Sequence, residues 1–176
     1  AKGKNIKIVD TLINSVAQGL LVKRAVDLLK AGKNIDEIAE VLNEEKEKTE
    51  ILVCLETFKY AMMSGRLPKA VGKIGMFLGI RPIMSVDEKG KGAAFGFALS
   101  QKGITKRIVK RVQKDLDNPG IESYALIHCL NKELLDEYAE LFTKMIGKKP
   151  EYLAEVSSAT AIHSGKGSVA IGYIKK

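Results

Sequence analysis

Apolar residues recur at spacings of three and four in several stretches of the chain, the pattern of helices that bury one side. Four helices are predicted: residues 16–30, a helix that begins after the N-cap residue Asn34, and residues 104–116 and 132–146. From residue 57 to 79 the pattern is also helical, but Gly65 and Pro68 interrupt it.

Short apolar runs between these helices predict strands. They cover residues 6–10, 51–55, 80–86, 92–98, 123–130, 152–156 and 169–174. The run 51–55 is continuously apolar, as is typical of a buried parallel strand. Pro82 places the strand 80–86 at a sheet edge or puts the proline at its start. Because strand, helix, helix and strand follow one another at the start of the chain, we expect a doubly wound α/β layer there.

The alternation of strands and helices gives way near residue 79 to a hairpin-like stretch around the polar turn 87–90. We therefore predict two parts, residues 1–78 as part of a doubly wound domain and residues 79–176 as a second α/β domain. A glycine-rich turn around His163 precedes the last strand.

Composition narrows the classes of partner. The formal net charge of +8 is compatible with nucleic acid, an anionic membrane surface or an acidic protein. Aromatic residues make up only 6% of the chain and there is no Trp, which disfavours a platform for stacked bases. Cys54 and Cys129 lie in apolar runs and are predicted to be buried free thiols, a pattern that favours a cytoplasmic protein.

None of the motifs that would indicate an enzyme is complete in this sequence. The run 162–168 lacks the first glycine and the hydroxyl residue of a phosphate-binding Walker loop. The run 90–96 has Phe95 where a dinucleotide-binding loop needs its third glycine. The two histidines and two cysteines have no zinc-site spacing. We therefore predict no catalytic residues, no metal and no cofactor.

The two histidines differ in their surroundings. His163, with Ser164, Gly165 and Gly167 beside it, either binds an anion or is a loop histidine bonded to a neighbouring carbonyl. His128 lies in an apolar strand and is predicted to be structural.

The helix 104–116 carries basic residues opposite its apolar side, among them Lys106, Arg107, Lys110 and Arg111. This basic face is either simply solvated or docks an acidic protein, an anionic bilayer or nucleic acid.

Four segments occur in an order that resembles the DegV family, over its C-terminal two-thirds. They are Val9–Gly19, Glu56–Ala70, Phe77–Ile83 and His163–Tyr173. In the same order, the segments are similar to the family's element with Asp-Ser/Thr and Ser-x-Gly-x-Gly, its Gly-Gly-Arg-Ile element, its Ile-Lys-Pro-Ile element and its terminal His-Thr-Gly-Pro-Gly element. The resemblance implies two α/β domains, the second with a mostly antiparallel sheet and flanking helices.

The resemblance also implies a function. DegV-like proteins bind a fatty acid without catalysis and, in bacteria with a fatty acid kinase, present it to the kinase subunit. His163 and Arg66 would then hold the carboxylate of a long-chain acid such as palmitate or stearate, with Ser164 and Gly165 beside it. The tail would lie in an apolar tunnel between the domains, against four apolar residues, Phe77, Leu78, Ile80 and Ile83.

Further partners follow from the same resemblance. We expect a kinase subunit at Lys106, Arg107, Lys110 and Arg111, and a transient contact with a membrane surface. The family's N-terminal segment would lie on the same chain or on another one. Nucleic acid is the less favoured partner. The alternative function, for a chain that binds no lipid, is an interaction module that binds an acidic protein or nucleic acid through the basic helix face 102–114.

Overall fold

Six strands form one sheet in the computed structural model, which describes residues 5–67 and 69–176. They are β1 (Thr49–Cys54), β2 (Arg81–Val86), β3 (Gly92–Ala98), β4 (Ile121–His128), β5 (Leu153–Glu155) and β6 (Val169–Lys175). Their order across the sheet is β3-β2-β1-β6-β4-β5. Neighbouring strands are antiparallel except for β4 and β5, which are parallel.

Two helices precede β1 along the chain, and the others lie between the strands. They are α1 (Ser15–Lys30), α2 (Ile35–Glu45), α3 (Lys59–Met63), α4 (Lys69–Phe77), α5 (Gln101–Asp117), α6 (Lys132–Ile146) and α7 (Ser158–Ser164). The helical stretch from residue 57 is interrupted around Gly65, as predicted, whereas the predicted break at Pro68 lies outside the described residues. In the part of the chain that is described, no helix combines the length and apolar character that crossing a bilayer requires.

Alternation along the strands gives the sheet two buried faces. Leu52 and Ile171 point to one side, where Ile108 of α5 and Phe142 of α6 complete the core. Ile51, Ile127 and Ala170 point to the other side, which α1 covers with Val16, Ala17, Leu20 and Leu21. The two faces thus carry separate cores.

Gly172 of β6 sets how closely α1 approaches the sheet. A Cβ added there would lie 2.8 Å from the backbone nitrogen of Ala17, closer than any relaxed contact. A glycine at this position is therefore required for α1 to pack where it does.

The predicted α/β class, with a mostly antiparallel sheet and flanking helices, is confirmed. The prediction of a parallel strand at 51–55 is wrong, because β1 is antiparallel to both β2 and β6. Any strand covered on both faces is continuously apolar, so this pattern does not report strand direction. β1 therefore joins residues 1–78 to residues 79–176 in a single sheet.

Two local predictions are also corrected. Residues 6–10 form no strand, and Ile8 is 91% exposed. A strand needs a partner as well as apolar residues, and this run has none among the residues described. His163 lies in the last turn of α7 rather than in a loop.

Candidate functional site

A cavity of about 560 Å³ lies on the α1 side of the sheet. Its apolar wall is formed by Ile51 and Val53 of β1, Met84 of β2, Ile127 of β4 and Ala170 of β6. The first residue of α1, the end of α3 and the end of α7 surround this wall. The volume is within the usual range for small-molecule sites.

Polar residues from two helical segments border the apolar wall. Arg66 follows α3, where its backbone N–H donates to the carbonyl oxygen of Ala61 at 2.8 Å. Thr160, His163 and Ser164 come from α7. A cation and several hydrogen-bonding groups thus stand beside an apolar surface, which is the arrangement expected for an amphipathic ligand.

Gly165 holds α7 against α3. Its backbone angles are φ 76° and ψ 166°, a region that only glycine occupies readily. A Cβ there would lie 2.0 Å from Cδ2 of Tyr60. Gly165 is therefore a packing residue, and it is not among the residues that line the cavity.

Two buried polar atoms next to the cavity lack protein partners. Nδ1 of His163 and Oγ of Ser164 make no hydrogen bond to any residue that the structure describes. An unpaired buried polar group costs about 1–3 kcal/mol, and such groups are rare. Two unpaired buried atoms at one cavity make His163 and Ser164 candidate ligand contacts.

The charge of the lining favours an anion. Arg66 and Lys91 line the cavity together with His128 and His163. Within the described ranges 5–67 and 69–176, no Asp or Glu lines it. The same ranges contain no group of three or more His, Cys, Asp or Glu side chains placed to hold a metal ion.

The structure separates the predicted tail-contacting residues from the predicted carboxylate site. Phe77 and Leu78 are 89% and 53% exposed, and neither they nor Ile80 line the cavity. Ile83 is fully buried in the core with α5 and α6, on the opposite face of the sheet. Its neighbour Met84 lines the cavity instead, because successive strand residues alternate between faces.

The structure also adds residues that the sequence did not single out as ligand-binding. Ser15, Lys91 and His128 line the cavity together with the predicted Arg66 and His163. They come from three distant parts of the chain. Ser15 lies within the Val9–Gly19 segment of the family resemblance, whereas no family motif includes Lys91 or His128.

The predicted basic face is only partly available to a partner. Lys106, Arg107 and Lys110 are exposed, and none forms a salt bridge within the described part of the chain. Arg111, in contrast, pairs with Glu50 at 2.9 Å and with Asp115 at 2.8 Å. The Arg111 guanidinium is thus already paired within the fold, and its part in docking a partner stays a prediction.

Comparisons with known proteins agree with this architecture. The family model described as uncharacterised protein, DegV family, matches residues 1–176. A DegV domain-containing protein of Clostridium perfringens is 28% identical over 170 residues, covering 97% of this chain and 58% of that protein.

Solved structures share the fold. A fatty acid binding DegV family protein from Streptococcus agalactiae has a TM-score of 0.80 and 26% identity, over 97% of this chain and 60% of that one. The fatty acid kinase (Fak) B3 protein of Streptococcus pneumoniae, loaded with linoleic acid, has a TM-score of 0.82 and 21% identity, over 98% and 60%. The chain spans about three-fifths of the length of each of these relatives. With the family model matched from the first residue to the last and the fold shared, this chain belongs to the DegV family.

Proposed function

We propose that this chain binds a long-chain fatty acid such as palmitate or stearate, with its carboxylate at His163, Ser164 and Arg66. The observation that carries the proposal is the pair of unpartnered buried atoms, His163 Nδ1 and Ser164 Oγ, beside a cavity without acidic residues. A carboxylate accepts hydrogen bonds at both of its oxygens and would satisfy both groups. The fatty acid binding relative from Streptococcus agalactiae supports the same ligand class.

The acyl tail is assigned to the apolar wall formed by β1, β2 and β6. Ile51, Val53, Met84 and Ala170 offer aliphatic surface there, and Phe77, Leu78, Ile80 and Ile83 have no part in it. Each buried methylene contributes about 0.8 kcal/mol, so a palmitate-length chain gains on the order of 10 kcal/mol if fully buried. This gain offsets the removal of the carboxylate from water, provided that the donors and Arg66 remain in place.

Native mass spectrometry and calorimetry test the proposal. Delipidated protein is mixed with palmitate, and the dissociation constant is measured for the wild type, Ser164→Ala and Ser158→Ala. Ser158 is exposed at the start of the same helix and does not line the cavity, so it is the matched control.

Loss of a hydrogen bond to a charged group costs about 1.5–3 kcal/mol, so Ser164→Ala is expected to weaken binding at least tenfold. Ser158→Ala is expected to bind like the wild type. Absence of palmitate binding by the wild type, or equal affinities of the two variants, would contradict the proposal.

We further propose that the bound acid is presented to an acidic partner protein, a fatty acid kinase subunit, through Lys106, Arg107 and Lys110. The supporting observation is that these three exposed cations form no salt bridge with an acidic residue in the described part of the chain. Arg107 instead lies over the ring of Phe97, with 5.9 Å between its Cζ and the ring centroid.

A reconstituted assay tests this presentation. A bacterial fatty acid kinase subunit, ATP and the palmitate-loaded protein are combined, and acyl phosphate formation is followed. The double variant Lys106→Glu/Lys110→Glu is expected to lower kcat/KM while palmitate affinity is unchanged. The double variant Lys144→Glu/Lys149→Glu, which reverses two exposed lysine charges away from α5, is the charge-matched control. If both variants support the wild-type rate, this face does not dock the kinase. Strongly salt-dependent binding to duplex DNA would favour the nucleic-acid alternative.

A further inference from the structure

A second histidine lines the cavity that contains His163. His128 is the last residue of β4, and the antiparallel register places it opposite Val169 of β6. That register brings His128 beside Ser168, which also lines the cavity. His128 is half-buried, so its ring is neither sealed in the core nor fully in water.

The tautomer of His128 is set by the turn that follows β4. The backbone N–H of Asn131 donates to Nδ1 of the ring at 3.0 Å. Because Nδ1 accepts this bond, the neutral ring carries its proton on Nε2. Nε2 is therefore a hydrogen-bond donor.

Asn131 is itself held on both sides. Its side-chain nitrogen donates to the carbonyl oxygen of Gly167 at 2.9 Å, and its side-chain oxygen accepts from the N–H of Leu134 at 3.3 Å. The residue before it, Leu130, has a φ of 50°, a left-handed conformation that costs a non-glycine residue about 1 kcal/mol or more. The fold retains this strain at the turn that orients His128.

The donor on Nε2 is not used by the protein. Within the part of the chain that the structure describes, the only hydrogen bond of the His128 ring is the one to Nδ1. At this cavity, the buried atoms His163 Nδ1 and Ser164 Oγ and the Nε2 donor of the half-buried His128 thus make no hydrogen bond to any described residue. An ionised carboxylate offers about four acceptor positions, enough for all three.

We infer that His128 determines head-group specificity, donating from Nε2–H to the ligand carboxylate and so favouring the free acid over its alcohol or ester. The inference rests on the proposed fatty acid binding at His163. A hydrogen bond to an anion is about twice as strong as one to a neutral oxygen. The contribution of His128 is therefore largest for the ionised acid.

Two variants of His128 separate its two nitrogens. In His128→Asn the side-chain oxygen lies near the position of Nδ1, so the bond from Asn131 is kept and the Nε2 donor is lost. In His128→Gln the amide nitrogen lies near the position of Nε2, so the donor is kept. Dissociation constants are measured by calorimetry for palmitate, hexadecanol and methyl palmitate, and thermal unfolding of the ligand-free variants is followed by circular dichroism.

His128→Asn is expected to bind palmitate about ten- to a hundredfold more weakly, with a much smaller change for hexadecanol and methyl palmitate. His128→Gln is expected to stay within about threefold of the wild type for all three ligands. The Tm of His128→Asn is expected to match that of the wild type.

Wild-type affinity of His128→Asn for palmitate would overturn the inference. An equal loss for all three ligands, or for both variants, would overturn it in favour of a structural role, and a lowered Tm of His128→Asn would support that reading. If the wild type bound no palmitate, the proposed function would fail together with this inference. The outcomes above, in contrast, overturn only the role of His128 and leave fatty acid binding in place.

Discussion

Replacing Gly165 with alanine is expected to disrupt the contact between α7 and α3 that positions His163 and Ser164. The added Cβ would lie 2.0 Å from Cδ2 of the Tyr60 ring, and the backbone of Gly165 has a φ of 76° and a ψ of 166°. A local adjustment relieves neither the close contact with the ring nor the unfavourable backbone angles, because Tyr60 is part of α3 and Gly165 is buried.

Two contributions determine how much Gly165→Ala lowers the free energy of unfolding. Placing alanine in this glycine region costs about 1–3 kcal/mol, and forcing a methyl group into a filled space costs about 1–3 kcal/mol more. Gly165→Ala is therefore expected to lower the free energy of unfolding by about 4 kcal/mol. Gly147→Ala is the matched control, because Gly147 also has a positive φ, 80°, but a Cβ there meets nothing within 4 Å. Its expected cost is only about 1 kcal/mol.

Urea unfolding followed by far-ultraviolet circular dichroism measures both variants. A second comparison, Gly165→Ala made in a Tyr60→Ala background, isolates the steric part, which should be absent once the ring is removed. Palmitate affinity of Gly165→Ala is expected to fall as well, since its α7 must shift. The reasoning is refuted if Gly165→Ala and Gly147→Ala are equally destabilising, or if the Tyr60→Ala background leaves the cost of Gly165→Ala unchanged.

Three further predictions concern stability and reactivity. Burial acts to raise the pKa of the Asp115 carboxyl, but hydrogen bonds from Tyr173 at 2.6 Å and Arg111 at 2.8 Å hold that pKa below its ordinary value. Asp115→Asn should therefore cost about 3 kcal/mol at neutral pH in urea unfolding. The difference from the wild type should shrink as the pH falls below about 4, because the stabilisation is lost when the carboxylate is protonated, and a difference independent of pH would contradict this. Burial raises the pKa of the Cys54 thiol to about 12, so peptide mapping after iodoacetamide treatment of the native protein should find this cysteine unlabelled. Asn34→Ala removes the capping box of α2 and should lower the free energy of unfolding by about 1 kcal/mol, with an unchanged urea midpoint counting against the capping role.

Helices and their caps were predictable because they depend on residues close in the chain. The apolar spacing of α1, α5 and α6 predicted each of them to within a few residues, and Asn34 marked the start of α2. Helix α7 was missed because its seven residues are too few to show a period.

Strand pairing was less predictable because it depends on residues far apart. The apolar run 51–55 correctly indicated a buried strand, but a central antiparallel strand and a parallel strand have the same pattern. For β2, the sequence did not show that Ile83 would face α5 and α6 while Met84 faced the cavity. A shift of the strand pairing by one residue exchanges the two faces of a strand. The partner strands therefore decide which residues of β2 face the cavity.

The residues of the candidate site likewise divide into those predictable from the sequence and those that only the fold brings together. His163 and Ser164 could be singled out by the glycines beside them, and Arg66 through the family resemblance, and the structure brings all three to one cavity. His128 could not, because a histidine in an apolar strand has the same local pattern whether it is structural or binds a ligand. His128 lines the same cavity as His163 because β4 pairs with β6, whose paired residues are about 40 to 55 positions apart in the chain. The sequence alone therefore determined the local elements and one side of the candidate site, while the tertiary structure decided which distant side chains line the same cavity, since only packing brings together residues that are far apart in the chain.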